Sequence, residues 1–206
     1  NPTMEAKVNS SMGYHFQKIN KYKKADAEFK KLGAIMRWQL AGHFENVSGS
    51  GFNKEYAPLY ESSNAEEFTN RYGAKVKWFS LPYNYKEGRW IYPSNHVYTS
   101  EAIIFAQTFI RSNKEQEVHL RIGASGSIKV LVNDQLLFSE EEERDTDLDT
   151  YIIVAKLKKG YNRIVLQLGE SGEIDNIKYM MRITDKSGNL IEGIEAYDKP
   201  KSYKKE

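Results

Sequence analysis

The sequence predicts a mainly-β protein: an antiparallel β-sandwich preceded by a short N-terminal α-helical hairpin. Three observations carry this expectation. From Glu101 to Thr184 one short extended segment follows another, separated by turn residues at close spacing, which is the rhythm of a sandwich or barrel. No helical segments alternate with these strands, so a parallel sheet wrapped by helices is disfavoured. Extended helical periodicity lies in residues 4–32, where Met12, Phe16, Ile19, Ala25, Phe29 and Leu32 recur at steps of three and four once a break near Asn20 is allowed.

Taken in order, the hairpin ends at Gly33, where a glycine is suited to the left-handed turn after a helix. The period then changes. Ile35–Ala41 reads as a strand, Asn46–Gly51 as a flexible loop, and Ala65–Tyr72 as a short helix. Lys75–Leu81 alternates and stops at Pro82, as a strand must when the next residue lacks an N–H. A loop rich in Tyr, Gly, Asn and Pro follows, from Tyr83 to Asn95. Ala102–Arg111 is long and apolar, as expected of a central strand covered on both faces. Val118–Gly123, Ile128–Val132, Gln135–Phe138, Thr150–Leu157, Arg163–Leu168 and Lys178–Thr184 complete the series. Asn133-Asp134 signals a tight hairpin, since both residue types tolerate positive φ. Lys186–Asn189 marks another turn. Three units are expected: hairpin 1–33, sandwich 34–197 and a mobile tail 198–206.

Composition narrows the function. The 206 residues are 40% hydrophobic and 13% aromatic, enough for a packed core. A net charge of +2, with no long basic stripe, gives no footprint for nucleic acid. The absence of cysteine excludes disulfides, zinc–thiolate sites and thiol catalysis. No apolar run approaches the ~20 residues that span a bilayer, so membrane insertion is not expected. The chain opens on Asn1-Pro2-Thr3, without an initiator Met or a signal peptide, and is expected to be a piece of something larger.

Two motifs carry a resemblance: Val130-Leu-Val-Asn133 in a hairpin, and Leu157-Lys-Lys-Gly160-Tyr-Asn162-Arg-Ile164 leading into a core strand. With them, residues from about Ile35 to Ile194 resemble the galactose-binding-like jelly rolls, among them the sugar-binding domains attached to glycoside hydrolases. Asp134 stands where that family usually has a turn glycine. Met12-Gly13, Phe16, Ala25, Phe29 and the entry Tyr22-Lys-Lys-Ala25 resemble one tetratricopeptide repeat; a generic helical hairpin is the alternative. Asn9 occupies the repeat's early large position, and its terminal Pro is absent. The order of parts resembles large bacterial multidomain proteins, which implies an exported or cell-envelope setting and other domains of the parent chain as partners.

The resemblance implies a non-catalytic binding scaffold and does not identify its ligand; carbohydrate or polysaccharide is the ligand expected from the residues themselves. The alternative is a structural or protein-interaction scaffold joining a helical array to other domains. Sugars offer C–H faces to aromatic rings and hydroxyls to polar side chains. Trp78, Tyr83, Tyr85, Trp90 and Tyr92 cluster in one segment with Asn84, Arg89 and Asn95. The expected ligand site is Trp78, Tyr83, Asn84, Arg89, Trp90, Tyr92 and Asn95, with core-anchoring aromatics as the alternative. Asp145, Asp147 and Asp149 alternate in an acidic loop and could converge on a structural calcium, the one cofactor to consider; a solvated acidic loop is the bland alternative. His15, His43, His96 and His119 are scattered without metal-ligand spacing, and Ser125 lacks a nucleophile elbow. Two acids distant in sequence could still face each other as a glycoside-hydrolysis pair, and it is on the fold resemblance that no enzyme is expected.

Overall fold

The computed structural model describes residues 1–60, 67–172 and 176–204. It is mainly β, with antiparallel sheets and an N-terminal helical pair. The elements are α1 (Pro2–Lys18), α2 (Tyr22–Lys30), β1 (Gln39–Glu45), α3 (Ala57–Tyr60), β2 (Phe68–Thr69), β3 (Lys75–Val76), β4 (Phe79–Ser80), β5 (Ala102–Ser112), β6 (Gln116–Ala124), β7 (Ser127–Val132), β8 (Gln135–Glu140), β9 (Tyr151–Leu157), β10 (Gly160–Glu170), β11 (Tyr179–Thr184) and β12 (Ile194–Tyr197). The larger sheet runs β4-β1-β5-β10-β7-β8, with β12 sharing one edge of β5 with β1. The smaller sheet is β11-β6-β9, and β2-β3 is a separate two-stranded ribbon.

Period-two alternation decides the core. Ile104, Ala106, Ile164, Leu166, Ile128 and Val130 of the large sheet meet Val118, Leu120, Ile122, Ile153, Tyr179 and Met181 of the small one, forming the main apolar layer. The outer face of the large sheet is also covered. Phe44, Phe105, Leu131 and Val165 pack under Leu59, Phe68 and Val76. A buried polar row lies beside them: Gln107 donates to Gln39 (2.9 Å) and accepts from Arg163 Nε (2.8 Å), while Arg163 also donates to the Pro58 and Leu59 carbonyls.

The two quoted motifs lock each other. Asn133 and Asp134 hold positive φ (52° and 67°) in the β7–β8 turn, so the hairpin signal is realised. Asn133 Nδ2 donates to Asn162 Oδ1 (2.8 Å), and Asn133 Oδ1 accepts from the Arg163 amide (3.0 Å). Asn162 Oδ1 accepts from the Lys158 amide as well, and its Nδ2 donates to the Lys158 and Gly160 carbonyls. Two asparagines thereby satisfy the backbone of two successive turns.

Several expectations need correction. In α1 the fully buried residues are Ala6, Ser10 and Gly13; of the Met12–Phe16–Ile19 row Phe16 is half-buried against the hairpin core, while Met12 and Ile19 are exposed. Gly13 is required because a Cβ there would overlap the Phe29 ring, so small residues occupy the closest contact while Met4, Val8 and Met12 face out. The strand expected at Ile35–Ala41 begins at Gln39 and runs on to Glu45. Lys75–Leu81 is broken into β3 and β4. Of the short helix expected over Ala65–Tyr72, residues 65 and 66 lie outside the described residues, and Phe68–Thr69 is a strand paired with Lys75–Val76. Asn46–Gly51 is pinned rather than loose, because buried Asn46 donates to the Glu170 carbonyl and accepts from the Gly51 amide. The tail is docked as far as Lys204: Tyr203 is 3% exposed, lies on Phe109, and donates its hydroxyl toward Asp134 (2.8 Å).

Candidate functional site

The segment between β4 and β5 carries most of the expected site, and two anchors fix its shape. Ile91 exchanges two backbone bonds with Tyr179 of β11 (2.8 and 2.9 Å). Arg89 is buried between the Phe29 and Tyr83 rings, where it pairs with Asp26 of α2 (2.5 Å) and donates to the Glu87 carbonyl. Asp26 is held below the usual carboxylate range, foremost by its bond to Lys30, against a smaller opposing effect of burial, and further by Arg89. The segment is thus clamped between the small sheet and the hairpin.

Between these anchors lies a cavity of about 290 Å³. Asn84, Trp90, Tyr92 and Asn95 line it, together with Tyr14 and Gln17 of α1, Glu87 and His96, over a floor of Met36, Leu81, Pro82 and Ile91. Tyr92 is 39% exposed, and Trp90 lies against Gly123, where a Cβ would overlap its ring. Asn84 accepts from the Lys86 amide and donates to Glu87 Oε1 (3.0 Å each). Gln17 Nε2 donates to the Lys86 carbonyl (2.8 Å), tying α1 to the same loop. The Tyr14 phenol is pushed up to about 12, first by burial and then by neighbouring Tyr92, with Arg89 partly opposing, so it stays a neutral donor and acceptor.

The structure therefore brings four of the seven expected ligand residues to one cavity. Tyr83 and Arg89 line the adjacent cavity of about 200 Å³. Arg89 is a clamp whose guanidinium is already committed to Asp26. Trp78 goes elsewhere, packing against Phe68 in the apolar layer outside the large sheet. Tyr14, Gln17, Glu87 and His96 were missed. Nothing in the sequence says that α1 returns to the Tyr/Asn-rich loop, which is a tertiary fact.

The acidic triplet diverges. Asp145 points to Lys178 (3.4 Å), Asp147 pairs with Lys7 of α1, and Asp149 binds Arg182 (2.5 and 2.8 Å) and Arg121 (3.3 Å). Each carboxylate meets its own cation, and no group of three or more acidic, histidine or cysteine side chains placed to hold a metal ion occurs among the described residues. No helix of the described residues is long and apolar enough to cross a membrane.

No family model matches the chain, and no curated protein matches it. Among solved structures it is similar to the β-glucosidase of Kluyveromyces marxianus. Against the crystal structure in complex with glucose the TM-score is 0.34, with 12% identity, covering 41% of this chain and 11% of that one. Against the selenomethionine-labelled form the TM-score is 0.42, with 8% identity, covering 71% and 16%.

Proposed function

We propose that the chain is a non-catalytic carbohydrate-binding module of a larger protein, with a galactose-binding-like jelly roll as its scaffold and the cavity between hairpin and sandwich as its site. The carrying observation is the mix of groups in that cavity. Tyr92 and Trp90 offer ring surface, while Tyr14, Asn84, Asn95 and Gln17 offer neutral donors and acceptors. The interlocked Asn133 and Asn162 turns support the jelly-roll reading, since they are the positions on which the resemblance rests. Among the described residues Glu87 is the single carboxylate lining the cavity, which is not the facing pair that glycoside hydrolysis uses. A glycan array followed by titration calorimetry tests the reading. Tyr92→Ala should weaken binding of the array hit about tenfold, or ~1.4 kcal/mol, whereas Trp78→Ala should leave it unchanged. Silence on the array, or equal binding by Tyr92→Ala, would overturn the assignment.

One observation favours the scaffold reading. Met4, Val8 and Met12 of α1, with Ile19 just past its end, form an exposed apolar stripe. A scaffold role predicts that Met12→Lys changes association with the parent protein's other domains while leaving glycan binding intact.

A further inference from the structure

The cavity beside the proposed sugar site is of different character. The two share Met36, and the Tyr83–Arg89 loop walls both. The second is lined by three cations, Lys30, Arg37 and Arg89, over the Phe29 and Tyr83 rings. One carboxylate answers them: Asp26 binds Lys30 through one oxygen (2.8 Å) and Arg89 through the other (2.5 Å). Arg37 is exposed and makes no ion pair or side-chain hydrogen bond among the described residues, and the Lys30 side chain is 71% exposed. Three positive charges against one negative leave the second cavity with a surplus of two. The first cavity is opposite in sign, since its one ionised lining group of fixed charge is Glu87, held on the rim by Asn84.

Resting on the carbohydrate reading, we propose that the ligand is an acidic oligosaccharide: a neutral residue occupies the first cavity and the carboxylate of an adjoining uronic-acid residue enters the second, meeting Arg37 and Lys30. Glu87 keeps the acidic residue out of the first cavity and so sets the direction in which the chain lies. Arginine suits this role because its planar fork takes both oxygens of a carboxylate. At 200–290 Å³ each, the two cavities fit two adjacent sugar rings rather than a long chain.

The test uses three uronate oligomers as probes, oligogalacturonate, oligomannuronate and hyaluronan fragments, each beside its carboxyl-reduced, neutral counterpart. Calorimetry at low salt should give at least one acidic oligomer about tenfold tighter binding than its reduced form, with the difference shrinking as salt screens it. Arg37→Gln should erase that difference and leave the reduced form's affinity unchanged, while Tyr92→Ala should weaken both forms. Equal affinity for acidic and reduced forms, or an Arg37→Gln variant with the preference intact, would overturn the acidic-ligand inference and leave the carbohydrate reading standing. Binding to neither form of any probe would also overturn it, and array hits confined to other sugars would show that the carbohydrate reading survives alone. Arg37 has no partner to lose among the described residues, so the variant's melting curve should match the parent's.

Discussion

Asn162→Ala probes the lock between the two turn motifs. The side chain is fully buried, accepts from Asn133 Nδ2 (2.8 Å) and Lys158 N (3.0 Å), and donates to the Lys158 carbonyl (2.9 Å), with longer contacts to Gly160 and Ile110. A net hydrogen bond contributes about 1 kcal/mol, and a buried group left without a partner costs more. Counting the three short bonds gives a loss of about 3 kcal/mol. For a chain of this size that corresponds to a fall in Tm of roughly 6–12 °C. Urea unfolding should show a lower midpoint with an unchanged slope. Asn162→Asp should be no milder, because a carboxylate would face the Lys158 and Gly160 carbonyls. A cycle with Asn133→Ala should return a coupling of at least ~0.5 kcal/mol. A loss below about 1 kcal/mol for Asn162→Ala, or strictly additive single variants, would show that the asparagines decorate the turns rather than hold them.

Gly13→Val should cost about 2 kcal/mol by overpacking against Phe29, read as faster hydrogen exchange across α1 relative to the sheets. Truncation after Asp198 removes Tyr203, uncovers buried Phe109 and should lower unfolding free energy by about 2 kcal/mol in urea titration; an unchanged midpoint would mean that the tail contributes nothing. Burial raises the Asp149 carboxyl, but bonds and charge from Arg182, the Thr3 hydroxyl and Arg121 outweigh it and hold the group below its ordinary value. Its stabilisation is therefore complete above the unfolded value of about 3.9 and is lost as pH falls through the folded one. Asp149→Asn should flatten the acid limb of a Tm-against-pH curve, and an identical limb would contradict the linkage.

The sheet strands were legible because alternation in a half-buried strand is enforced residue by residue. The Asn133-Asp134 hairpin and the Gly33 helix end were legible because few residue types accept their backbone angles. Other features depended on what lies across space. The α1 face misled because its neighbour Phe29 demands a glycine, and small inward residues leave the outward methionines to dominate the pattern. β12 escaped notice because Ile194–Tyr197 is short and is held by pairing with distant Phe109–Ser112. The loop 83–95 stood out as a site by its mix of Tyr, Trp and Asn, but composition could not separate Tyr92, which is exposed, from Arg89, which is a clamp. The directions of Asp145, Asp147 and Asp149 were hidden for a similar reason: alternate carboxylates set spacing, whereas Lys7, Arg121, Arg182 and Lys178 decided where each points.

The cavity's two walls come from the hairpin and from the sandwich loop, so the docking of one on the other sets its shape. Small residues such as Ala6 and Gly13 give α1 a smooth inner face, and a smooth apolar contact alone tolerates sliding. Charged pins remove that freedom at both ends. Thr3 and Lys7 fasten the start of α1 to Asp149 and Asp147, and Asp26 fastens α2 to Arg89. Lys7–Asp147 is exposed and Arg89–Asp26 is buried. Such pairs add little net stability, the first through screening and the second through desolvation, but they penalise every register in which a charge is left alone. Tyr14 and Gln17 lie between the pins, opposite Tyr92 and Asn84. Their positions are fixed by the fold itself, and under the carbohydrate proposal such a preorganised cavity would need no ordering of its walls on binding.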